Sequence, residues 1–156
     1  PYRDCSPART AFRAGTRFRV SLVQHPCQWL VNVYSYIKNG ETTWALKDMP
    51  LYWLNTFSLE SFVLDYLKQS PGCIGDMFDR YKADSCIRVE DLPWAFVDLV
   101  ESLDIQLTRD QLSSITSRPI VPCVDKTGVG YSSMTRELHH RVIDAERGFV
   151  ERYDYF

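Results

Sequence analysis

Four kinds of pattern are missing from this 156-residue chain, and each absence removes a class of function. There is no CxxC pair among the five cysteines, Cys5, Cys27, Cys73, Cys86 and Cys123. Their number is odd and no two lie close together, which argues against a disulfide framework or a zinc finger and for reduced, intracellular thiols. No apolar run approaches the ~20 residues of a membrane-spanning helix. No glycine-rich loop follows a strand to cradle phosphate; Gly128 and Gly130 fit a turn instead. No internal repeat or low-complexity tract is visible.

What remains is the composition of a folded domain: 45% hydrophobic, 24% charged and rich in aromatics at 13%, which suits a core or a partner surface equally. The net charge of −2 hides an asymmetry. Residues 1–19 carry Arg3, Arg9, Arg13, Arg17 and Arg19 against Asp4, a charge of +4, which leaves −6 on the other 137 residues. A basic arm, residues 1–16 at its core, on an acidic body predicts contact with an acidic surface: nucleic acid, anionic lipid or acidic protein. A chain opening on Pro1 reads as a fragment or a processed form.

Residues 17–47 read as a small three-stranded antiparallel unit. Phe18, Val20 and Leu22 alternate with Arg17, Arg19 and Ser21, the period of a half-buried strand. QWLVNVYSYIK (28–38) is β-branched and aromatic. Asn39-Gly40 then predicts a tight primed turn into ETTWALK (41–47). Residues 48–72 read as an irregular aromatic connector and a helix. Ser58 caps that helix, which carries Phe62, Val63, Tyr66 and Leu67 and stops at Pro71-Gly72.

The period stays helical from there. A helix over about 73–81 places Ile74, Met77, Phe78 and Tyr81 on one face. The next starts near Glu90, with Pro93 in its first turn, and carries Leu92, Phe96, Leu99, Val100 and Leu103. Thr108-Arg109-Asp110-Gln111 is a capping box flanked by the staple pair Leu107 and Leu112. That helix must end before Pro119. A loop over 118–132 precedes a last helix from about 133, with Met134, Leu138, Val142, Ala145 and Phe149 on one face.

Residues 73–149 thus read helix–loop–helix, link, helix–loop–helix. IGDMFDRY (74–81) resembles the entering helix of an EF-hand. VESLDIQLTRDQLSSI (100–115) resembles the link between two hands. The chain is therefore similar to one lobe of the EF-hand superfamily, of the calmodulin and myosin-light-chain kind. The expected fold is mainly α: a degenerate hand pair preceded by a three-stranded β-meander, with an aromatic tail at 150–156.

Neither loop suits calcium. A calcium loop needs oxygen ligands at positions 1, 3 and 5 and a bidentate Glu at 12. With Ile87 at position 8, position 1 is Arg80 and position 3 is Lys82, and only Asp84 and Asp91 supply carboxylates. With Val129 at position 8, positions 1, 3, 5 and 12 are Pro122, Val124, Lys126 and Ser133. The resemblance therefore implies a calcium-independent, non-catalytic, light-chain-like subunit without cofactor or metal. It would grip the amphipathic helix of a larger protein in a groove lined by Met77, Phe96, Val100, Leu103, Met134, Leu138 and Val142. The family context extends to cytoplasmic and cytoskeletal assemblies, including ciliary axonemes. The alternative is a nucleic-acid-associated assembly subunit that uses the basic arm.

The residues argue against a calcium sensor and against a cysteine hydrolase. Cys27 with His139 and His140 has the composition of a Cys/His catalytic pair. Such a thiol usually sits at a helix N-terminus, whereas Cys27 is expected to open a strand. His139 and His140, as neighbours on a helix, point to different faces and make a poor ligand pair.

Overall fold

The computed structural model describes residues 17–39, 58–80, 83–117 and 131–156. The described part is mainly helical, with one two-stranded parallel sheet. It divides into two compact units, residues 1–24 with 78–121, and residues 25–77 with 122–156.

The first unit is built on the sheet. Strand β1 (Val20–Val23) pairs in parallel with β2 (Ser85–Arg88), with Leu22 opposite Ile87. The start of the pair is clamped locally. The Arg19 amide donates to the Asp84 carboxylate at 2.8 Å, and the Asp84 amide donates to the Arg19 carbonyl at 2.9 Å. After a 3-10 turn at Val89–Asp91 comes helix α4 (Trp94–Ser102), which packs on β2 through buried Ala95 and Val97. Helix α5 (Arg109–Thr116) follows. Its capping box is the expected one: Thr108 Oγ1 accepts the Gln111 amide at 3.3 Å, and Gln111 Oε1 accepts the Thr108 amide at 2.9 Å.

The second unit is a helical packing of α1 (Pro26–Lys38), α2 (Leu59–Gln69) and α6 (Arg136–Ala145), each touching the other two. Helices α3 (Cys73–Arg80), whose last residues pass into the other unit, and α7 (Arg147–Tyr153) complete the set. Ser58 caps α2 by accepting the Ser61 amide at 3.1 Å, as the sequence predicts. Phe62, Val63 and Tyr66 of α2 are fully buried, and the Tyr34 ring of α1 meets Phe62 with centroids 5.8 Å apart.

The antiparallel meander expected over 17–47 does not form. Residues 26–38 are a helix, and β1 takes a parallel partner 65 residues away instead of a neighbouring strand. The reason is packing. Cys27, Leu30, Val31 and Tyr34 recur at helical spacing, and all four are buried. Burying each large apolar side chain is worth about 1.5–3 kcal/mol. The β preference of branched and aromatic residues costs a helix only tenths of a kcal/mol per residue. Pro26 at the first helical position and the His25 cap fix where the helix starts. The facing of β1 is also inverted: Val20 and Leu22 are exposed and Val23 is buried. Asn39 caps the end of α1 with φ −76°, not the positive φ that the expected primed turn needs; Gly40 and residues 41–47 lie outside the described residues.

The paired hands likewise find no support. Ile87, placed at position 8 of the first expected loop, pairs with Leu22 of β1. Residues 118–130, most of the second loop, lie outside the described residues. The two helices of the second expected hand, α5 and α6, belong to different compact units. Two boundaries also differ. Helix α4 begins after Pro93, at Trp94, not at Glu90. The last helix breaks at Glu146 into α6 and α7.

Candidate metal centre

The residues with chemistry to offer meet in the second unit, at the N-terminus of α1. His25 is the N-cap of this helix: its Nδ1 accepts the Cys27 amide at 3.2 Å. Cys27 is the second helical residue, and its side chain is fully buried. His139, in the middle of α6, lies over both. One ligating atom from each of His25, Cys27 and His139 falls within 4.8 Å of the other two. The two imidazoles stack with centroids 5.4 Å apart and planes inclined by 27°. Tyr155 closes the group, edge-on to His25 at 5.3 Å. Asp154 takes a left-handed backbone, φ 57°, after α7, and the Tyr155 ring stacks beside Phe149 at 6.0 Å.

Burial favours the neutral forms of Cys27 and His139. Burial pushes the Cys27 thiol up to about 12, against a weaker opposing pull from its backbone hydrogen bond. Its S–H points to the His139 carbonyl at 3.8 Å. Burial also lowers the His139 imidazole, and the neighbouring His140 adds to this. A neutral thiol beside a neutral imidazole suits the pre-binding state of a soft-donor metal site. A bound ion would displace the thiol proton to solvent. A tetrahedral zinc holds Cys sulfur at about 2.3 Å and His nitrogen at about 2.0–2.1 Å. The three donors would need to close by only about 1 Å, by the same distances.

The geometry corrects the sequence in two places. Cys27 starts a helix, not a strand, so the premise used against a nucleophilic thiol fails. Its burial and its pKa, pushed up to about 12, are the reverse of the exposed, acidified thiol of a catalytic cysteine. His139 is half-buried at the site while His140 is exposed, so the two point to different faces, as neighbours on a helix do. His25 was missed. The signal was His-Pro-Cys, a His-x-Cys spacing directly ahead of a proline-led helix start.

The expected groove residues are scattered. Met134, Leu138 and Val142 are buried in the second unit, where Met77 is half-buried. Leu103 is buried in the first unit, with Val100 half-buried and Phe96 exposed. Of the basic arm, Arg3, Arg9 and Arg13 lie outside the described residues. Arg17 is exposed, while the Arg19 guanidinium lies 3.5 Å from the Asp84 carboxylate and so serves the sheet. Cys27, Cys73 and Cys86 are free thiols. No described helix is long and apolar enough to cross a membrane. No family model, no curated protein and no solved structure matches the chain.

Proposed function

We propose that this protein binds one divalent transition-metal ion of zinc's chemistry through His25, Cys27 and His139, tying the start of α1 to the middle of α6. The observation that carries the reading is the convergence of three soft and borderline donors, 112 residues apart in sequence, within 4.8 Å. Thiolate with imidazole selects zinc and its neighbours over magnesium or calcium. Coordination through His25 Nδ1 replaces the cap hydrogen bond. That loss is about 1 kcal/mol. A structural zinc contributes about 10 kcal/mol or more, so the metal wins the contest for that nitrogen. Three protein donors leave a fourth position for water or an added ligand, beside the Tyr155 ring.

The test is metal content and cobalt spectroscopy on the purified protein. Dialysis against zinc should leave one ion per chain. Cobalt should give a thiolate charge-transfer band that disappears in Cys27→Ser and weakens in His139→Ala. Zinc content unchanged in both variants would sink the proposal.

The light-chain-like reading, a subunit gripping a partner helix independently of calcium, loses the hand pair on which it was built. Its groove candidates fall in two separate units, and only the exposed face of α4 carries a partner-binding role forward.

A further inference from the structure

Residues 89–108 contain Glu90, Asp91, Asp98, Glu101 and Asp104 and no Lys, Arg or His. Asp91 is engaged by Arg88, with Nε to Oδ2 at 2.6 Å. Trp94, Asp98 and Glu101 stand at i, i+4 and i+7 on α4 and therefore share one face. That face is turned to solvent. Trp94 is 60% exposed, and Asp98 and Glu101 are exposed beside it, while Ala95 and Val97 are the residues α4 buries. An indole left that bare is unusual, because Trp normally buries most of its large surface. Beyond Glu101 the face runs into a hollow of about 460 Å³ lined by Glu101, Asp104, Ile105, Gln106 and Leu107.

From this geometry we infer that the outer face of α4 is a docking surface for an arginine- or lysine-rich peptide segment of a partner protein. Charge complementarity decides the occupant. A nucleic acid or an anionic bilayer would meet the two carboxylates and be repelled. A cationic side chain can lie over the Trp94 ring, which attracts it through the ring quadrupole. The carboxylates of Asp98 and Glu101 then meet its charge. A second cation reaches the hollow at the end of the helix. Trp94 and Glu101 are seven residues apart, about 10 Å along a helix axis. Three residues of polyproline-II peptide span about 9 Å and bring the side chain back to the same face. The surface is therefore matched to two cations three residues apart, Arg-x-x-Arg, in a polyproline-II chain.

The probe is a fluorescein-labelled Gly-Arg-Gly-Gly-Arg-Gly peptide, titrated with the full-length protein at low and at moderate salt. The Glu-for-Arg peptide is the control. Binding should be confined to the arginine peptide and should weaken as salt rises. Trp94→Ala should weaken it by about three- to fivefold, the size expected of an exposed cation–π contact. Asp98→Asn with Glu101→Gln should weaken it comparably. All three positions are exposed, so circular dichroism should show the fold intact in each variant. Equal binding of the acidic peptide overturns the proposal, as does arginine-peptide binding untouched by both sets of substitutions. No binding at all also overturns it, and is the result expected if the chain's own basic arm covers this face.

Discussion

The carboxylate of Glu146 caps a helix to which it does not belong: it accepts the amide of Gly75, in the first turn of α3, at 2.9 Å. The same carboxylate accepts the Ile74 amide at 3.2 Å and the Tyr66 hydroxyl from α2. Glu146 is 2% exposed, yet no arginine or lysine is among these partners. Orphan amides at a helix start and one phenol share the work of satisfying a buried carboxyl group.

Removing Glu146 should therefore be far worse than an average substitution. Glu146→Ala removes the acceptor of the Ile74 and Gly75 amides and of the Tyr66 hydroxyl, at about 1–3 kcal/mol for each buried group left unsatisfied. Tyr66→Phe removes one donor and should cost about 1 kcal/mol. Urea denaturation of both single variants and the double variant tests the link. The double variant should lose clearly less than the sum of the singles, because the pair shares one hydrogen bond. Strict additivity would separate Tyr66 from Glu146.

Two helical glycines should respond in opposite directions to alanine. A Cβ on Gly148 meets nothing within 4 Å, so Gly148→Ala should stabilise by about 0.5–1 kcal/mol through helix propensity alone. A Cβ on Gly75 would stand 3.4 Å from both Glu146 Oε2 and Phe149 Cβ. Gly75→Ala should therefore gain nothing or lose stability. Thermal melts of the two variants side by side would show it, and equal gains at both sites would mean that the Glu146 cap tolerates displacement.

Cys27 should be unreactive in the folded, metal-free protein. With its thiol held up at about 12, almost none is thiolate at neutral pH. A disulfide reagent at pH 7.5 should modify Cys73 and Cys86 first, both half-buried, and reach Cys27 only on unfolding. Peptide mapping after a timed pulse resolves the order. Early labelling of Cys27 would show that the α1 start is open in solution.

Acid should weaken the fold through His139. Burial holds its folded pKa below the ordinary histidine value of about 6.5, so the unfolded chain binds the proton more readily. Stability from this group is complete above about pH 6.5 and is lost as the pH falls from there toward the depressed folded value. The denaturation midpoint should drop over that window in the native protein. The drop should shrink in His139→Gln. Loaded metal should shift the loss to lower pH, because the proton must then displace the ion.

What the sequence revealed depended on how far apart the deciding residues lie. The caps at Ser58 and Thr108 are each written within four residues, and both appear in the fold as read. The stretch 28–38 is ambiguous by construction. Its branched and aromatic residues are dense enough to satisfy a period of two as well as one of 3.6, and a buried partner helix decided the matter. The pairing of Leu22 with Ile87 leaves no local trace, and an isoleucine late in a polar loop looked like half of a hand. At the site, Cys27 and His139 were noticed for their chemistry. Their meeting depends on α1 and α6 packing together, which no spacing rule encodes.

The order of the two units along the chain sets a schedule for synthesis. Each is assembled from segments that the other interrupts, and the chain crosses between them after residues 24, 77 and 121. Helix α6, which α1 and α2 both need as a packing partner, is translated about a hundred residues after α1. A nascent chain must hold the part of the α1 face that α6 covers open until residue 145 has left the ribosome. Contacts this distant in sequence also slow folding in a finished chain. The apolar stripe of α1 is thus the stretch most in need of a chaperone during translation, and the same stripe is the best hidden once the protein is complete.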